Sequence, residues 1–158
     1  MKIFISHQQA DSQLALRISS RLKMNHQIDS YLDVIDSRLS SDGPVLADHI
    51  RIQMEKCTQL LAVVSKETQK SWWVPWEIGV ATEKDYPLAT YTLDPPELPS
   101  YLRKWPFLRN DNELDIYARV SKSAETRLLL ERVSKTMASA RSTSTRQFYT
   151  DIRASLNQ

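Results

Sequence analysis

The chain has 158 residues, 41% hydrophobic and 25% charged, with a formal net charge of +2. That length supports one sizeable core and argues against two full domains, and the interspersed charges argue against a nucleic-acid-binding face. The lone Cys57 has no partner for an internal disulfide, and neither a signal-peptide pattern nor a membrane-spanning apolar run is present, so a cytoplasmic protein without membrane contact is expected.

In chain order, "KIFIS" at 2 to 6 predicts a first strand. Leu14, Ile18 and Leu22, four apart after Asp11 as a candidate N-cap, predict a helix with one apolar stripe. "IDSYL" at 28 to 32 predicts a second strand, and the stretch from Val34 to Pro44 reads as a long loop. Leu46, Ile50 and Met54 mark a second helix beyond the Gly43-Pro44 turn, and "QLLAVVS" at 59 to 65 a third strand. A third helix begins between Ser71 and Pro75, because proline is tolerated in a first turn, and runs to about Lys84.

"YPLATYTL" at 86 to 93 predicts the fourth strand, "DPPELP" a loop, and "KWPFL" at 104 to 108 a short fifth strand whose proline suits an edge. The strands recur about every thirty residues, the length of a strand plus its crossover helix, which predicts an open parallel sheet with helices on both faces. The nearly unbroken apolar character of the first and third runs places them centrally. Further helices are expected over 111 to 122 and 124 to 139, then a polar "RSTSTR" at 141 to 146 and a last amphipathic segment with Phe148, Ile152 and Leu156. The expected organisation is a domain over 1 to 122 and a C-terminal helical extension over 123 to 158.

Only Gly43 and Gly79 are glycines, so neither a P-loop nor the glycine fingerprint of a dinucleotide cofactor site can form. His7, His26, His49 and Cys57 lack metal-ligand spacing, and no metal is expected.

The densest signal is "SWWVPWEIG" at 71 to 79, which holds three of the four tryptophans. On a helix Trp73 and Glu77 lie one turn apart on one face, with Trp72 and Trp76 on the adjoining stripe. The ordinary role of a tryptophan is packing, and that of a carboxylate at a helix start is a favourable charge near the dipole's positive end. Location adds to this. In an open parallel sheet, ligands bind beyond the carboxyl ends of the strands. Ser6 and His7 leave the first strand there, Trp73 and Glu77 begin the helix leaving the third, and residues 33 to 43 overhang the same edge. Such a cleft suits a nucleoside-like ligand. Trp73 is expected to line it, and Trp72 and Trp76 to pack.

"KIFISHQQAD" resembles the opening strand and loop of Toll/interleukin-1 receptor (TIR) domains. "SWWVPWEIG" resembles that family's third-helix motif, a tryptophan four residues before a glutamate, and "LSSDGP" sits where the family has its BB loop. The likeness covers about residues 1 to 120 and implies a flavodoxin-like fold.

In the family's enzymatic branch the resemblance further implies cleavage of the nicotinamide-ribose bond of NAD, with NAD as a consumed substrate and no cofactor. Glu77 matches the catalytic glutamate, and Trp73, Ser6, His7 and Asp36 the substrate contacts. The chain is similar to stand-alone bacterial defence proteins of the Thoeris-like type. That likeness implies a cyclic ADP-ribose-type signal or ADP-ribose as product, self-association through TIR surfaces, and a separate effector in antiphage defence. A non-catalytic interaction adaptor, and an enzyme resembling nucleoside deoxyribosyltransferases, are the alternatives.

Overall fold

The computed structural model describes residues 1–32, 43–93 and 100–158. The expected loop contacts, Asp36 among them, lie outside these residues.

Five strands, β1 (Lys2–Ser6), β2 (Asp29–Leu32), β3 (Gln59–Val63), β4 (Leu88–Tyr91) and β5 (Phe107–Leu108), form one sheet in the order β2-β1-β3-β4-β5. Every pairing is parallel. This is the flavodoxin-like arrangement, and β3 at its centre is buried along its whole length. The connection from β1 goes outward to β2, whereas β3 returns to the other side of β1. The winding therefore reverses between β1 and β3, and Ser6 pairs with Ala62 at the carboxyl end of that seam. A crevice opens at such a switch point because the two flanking connections depart to opposite faces.

Helices α1 (Ser12–His26), α2 (Gly43–Glu55), α3 (Trp73–Glu83), α4 (Asp111–Glu131) and α5 (Met137–Leu156) cover the sheet. Alternate residues of each strand serve opposite cores, as the two-residue period requires. Ile3, Ile5, Leu61 and Val63 pack against Ile18, Leu22, Tyr117, Phe148 and Ile152 from α1, α4 and α5. Phe4, Leu60 and Ala62 pack against Leu46, Ile50, Met54, Val74 and Ile78 from α2 and α3.

The helices depart from expectation in three places. Asp11 precedes α1 but makes no side-chain cap; its carboxylate instead accepts a hydrogen bond from the Ser65 hydroxyl at 2.8 Å. Helix α2 already begins at Gly43, so Pro44 lies inside its first turn, where a missing N–H costs nothing.

The third departure is at the C-terminal end, where α4 runs unbroken to Glu131 and the polar 141–146 stretch is helical within α5. Nothing at residue 123 breaks a helix, and a new one starts only where Thr136 caps the Ser139 N–H. The hydroxyls of 141–146 are compatible with a helix because they find carbonyls: Ser144 donates to Ala124 and Thr145 to Asp85, each at 2.7 Å.

Gln158, just past the end of α5, also guards the sheet. The Gln158 amide accepts from the Phe107 N–H at 3.1 Å and donates to the Phe107 carbonyl at 2.6 Å. These groups face away from β4, because the neighbouring Pro106 and Leu108 carbonyls are the ones that bond Thr90 and Thr92. One side chain thus occupies the outer rim of β5, where an unpaired edge would template association.

Candidate functional site

Helix α3 explains how a carboxylate reaches the seam. Ser71 accepts the Val74 N–H at 3.2 Å and so starts the helix, with Pro75 in the first turn. Its buried positions are Val74, Glu77, Ile78 and Ala81, the i, i+3, i+4, i+7 stripe that fastens a helix to a sheet. Three of the four are apolar. Glu77 holds the remaining place, and its side chain is only 1% exposed.

That burial weakens the reading of Glu77 as a helix-end charge. The dipole acts mainly on the first turn, whereas Glu77 lies a turn further in and out of water. Burying a carboxylate is costly unless donors compensate it, and such groups concentrate at functional sites. One donor is the Ser6 hydroxyl, which hydrogen-bonds Oε2 of Glu77. Ser6 is fully buried at the end of β1, so the pair sits at the carboxyl edge of the β1–β3 seam.

His7 follows immediately and is 5% exposed. Its Nδ1–H donates to the Ile5 carbonyl at 3.2 Å, which leaves Nε2 as the acceptor of the neutral ring. Trp73, one turn before Glu77, is half-buried against the core of α2 and α3 and meets Trp76 edge-on, with ring centroids 5.6 Å apart and planes at 88°.

The expected packing of Trp72 and Trp76 is not what the structure shows. Trp72 is 90% exposed and Trp76 36% exposed. Val74, Ile78 and Ala81 already fill the sheet-facing stripe; Trp72 precedes the helix and Trp76 falls off that stripe, so neither can reach the core.

Two further residues fix the rim, and the sequence reading missed their roles. The Asp11–Ser65 hydrogen bond ties the segment after β1 to the segment after β3. Ser65 also accepts the Glu67 N–H at 3.1 Å, while Thr68 accepts the Ser65 N–H at 2.9 Å, a reciprocal cap on the short helical turn Lys66–Lys70. The available signal was the S-x-x-T spacing from Ser65 to Thr68. Nothing local marks Asp11 as its partner. Beside this tie lies a cavity of about 360 Å³, lined by Asp11, Leu14, Ser65, Lys66, Glu67, Thr92 and neighbours.

Competing chemistry elsewhere is weak. Burial pushes the Cys57 thiol up to about 11, so it stays protonated and poorly nucleophilic near neutrality. Among the described residues no cluster of His, Cys, Asp and Glu could hold a metal ion, and no helix is long and apolar enough to cross a membrane. His26 is engaged by Asp115 at 2.8 Å and His49 by the Tyr31 hydroxyl at 3.2 Å.

The sequence model of one family, described as TIR domain, matches residues 3–125, which is most of the chain. No curated protein matches the sequence.

Proposed function

The chain belongs to the TIR domain family, and from that premise we propose that it cleaves the nicotinamide-ribose bond of NAD. The observation that carries this reading is the buried Ser6–Glu77 pair at the carboxyl edge of the β1–β3 seam. In the reaction the bond between the ribosyl C1′ and the nicotinamide nitrogen breaks, and its electron pair leaves with nicotinamide as a neutral base. Positive charge is left on the ribosyl centre. The Glu77 carboxylate stabilises that oxocarbenium-like charge, and an anion already fixed in a water-poor site does so without reorganising at the moment of reaction.

Ser6 holds the carboxylate in place, Trp73 lies against a flat ring of the substrate, and His7 and the loop containing Asp36 contact the nucleotide. Water adding to the ribosyl centre, with loss of a proton, yields ADP-ribose. Attack by a nucleophile of the same molecule yields a cyclic isomer. In this reading the protein is a cytoplasmic, self-associating enzyme whose nucleotide product is a signal in antiphage defence.

The test is product analysis by chromatography and mass spectrometry after incubation with NAD at high protein concentration, for wild type and Glu77→Gln. Glu77→Gln keeps the side-chain shape and removes the charge, and turnover should fall on the order of a hundredfold or more. Wild-type turnover in the variant would sink the assignment. A second reading, a non-catalytic adaptor, is favoured by one observation, the 90% exposure of Trp72 beside the same helix. No NAD consumption at any concentration, together with self-association lost in Trp72→Ala, is the result that reading requires.

A further inference from the structure

A second cavity, of about 300 Å³, lies at the C-terminal end of α3. Its walls come from the end of α3 and the turn after it (Thr82, Asp85, Tyr86), from the segment entering β5 (Lys104, Trp105), and from α5 (Thr145, Tyr149, Arg153). Helix α5 lies beyond residue 125, where the family match ends, so this cavity is completed by a part of the chain outside the matched domain.

We propose that this cavity is a binding site for a small anion carrying a planar ring, of the size and charge of a nucleoside monophosphate. Its cations are Lys104 and Arg153, and among the described residues neither has a carboxylate within ion-pair distance. Arg153 is already oriented, since one guanidinium nitrogen donates to the Lys104 carbonyl at 2.6 Å. The same contact brings Arg153 to the backbone of the residue that carries the second cation. The Lys104 Nζ itself lies over the Trp105 ring, 5.5 Å from its centroid, and two cations lining one cavity suit a phosphate or carboxylate.

The remaining walls select the rest of the ligand. Tyr86 and Trp105 are nearly buried and offer only their rims, while Tyr149 is half-buried and fixed by the Leu88 N–H, which its hydroxyl accepts at 3.2 Å. The faces of Trp105 and Tyr86 are covered by Lys104 at 5.5 Å and Arg141 at 5.0 Å, so a flat ring would rest against aromatic edges. Asp85 also lines the cavity, in a left-handed conformation at φ 53°, and its carbonyl accepts the Thr145 hydroxyl at 2.7 Å. A carboxylate there accepts from an amino group, which an adenine-type base carries and a simple phosphate lacks. The lining charges sum to +1, suited to a ligand with net negative charge. The volume is at the small end of ligand pockets, which favours a mononucleotide over a dinucleotide.

The proposal is independent of the NAD reading, and its test keeps the two apart. AMP is titrated calorimetrically into the full chain, with adenosine and inorganic phosphate as partial probes. AMP should bind with higher affinity than either part. Lys104→Ala and Arg153→Ala should each weaken it about tenfold or more, the usual effect of losing a charged hydrogen bond. Glu77→Gln should leave AMP affinity unchanged. Because Arg153→Ala removes a backbone contact, its melting temperature is measured as well, and exposed Lys104 supplies the variant least able to disturb the fold. No binding up to about 10 mM AMP, equal affinity in wild type and Lys104→Ala, or loss of binding in Glu77→Gln would each overturn the site.

Discussion

The Ser6 hydroxyl donates a hydrogen bond to the Glu77 carboxylate although 71 positions separate the two residues. Both are buried, so the contact fixes a carboxylate that solvent would otherwise leave to rotate freely. Ser6→Ala removes a donor to a buried carboxylate, a loss of about 1 to 3 kcal/mol in stability. In NAD turnover kcat should fall with little change in KM, because Ser6 acts through Glu77. A raised KM at unchanged kcat would instead place Ser6 on the substrate.

The three tryptophans should separate by exposure. Trp72→Ala should change stability by less than about 0.5 kcal/mol, since the side chain is 90% exposed. Trp73→Ala should destabilise more, because the ring packs against the core of α2 and α3, and it should also impair turnover. Thermal melts ranking Trp72→Ala as the most damaging of the three would contradict this geometry.

Helix α5 is expected to be integral to stability. Phe148 is fully buried in the core that contains Ile3 and Ile5 and meets Tyr117 edge-on at 6.1 Å. Phe148→Ala should cost about 3 to 5 kcal/mol in chemical denaturation. A variant as stable as wild type, with an unchanged denaturant slope, would show that α5 contributes little to the cooperative unit.

Acid stability should carry the signature of Asp115. Arg21 grips this carboxylate with two nitrogens at 3.0 and 2.7 Å, and His26 adds a third contact at 2.8 Å. The Arg21 hydrogen bond, first among these causes, lowers the Asp115 pKa from 3.8 to about 2. A depressed folded-state pKa contributes stability that is fully present above the unfolded value and lost as pH falls through the folded one. With screening at a partly exposed site, the contribution is on the order of 1 kcal/mol. Asp115→Asn should therefore be less stable than wild type at pH 7, with the gap closing between about pH 4 and pH 2. A gap that is constant over this range would exclude the linkage.

The sequence by itself determined the elements and the edge at which to look. Apolar runs such as "QLLAVVS" and stripes such as Leu46-Ile50-Met54 report local periodicity, which depends only on neighbours along the chain. The "SWWVPWEIG" stretch singled out Glu77 because three of the four tryptophans crowd around one carboxylate, and its four-residue spacing from Trp73 is itself local; that Glu77 occupies a core-stripe position came from the packed sheet. Tertiary structure decided everything that depends on register between crossovers. It joined Ser6 to Glu77 and Asp11 to Ser65, set Gln158 on the rim of β5, and left Trp72 in solvent. The polar 141–146 run is helical, with Ser144 and Thr145 bonded to carbonyls at Ala124 and Asp85, partners 20 and 60 residues away. Periodicity fixes which face of an element is apolar; only the packed sheet fixes which distant donor meets which acceptor, because an unpaired buried polar group penalises every other arrangement.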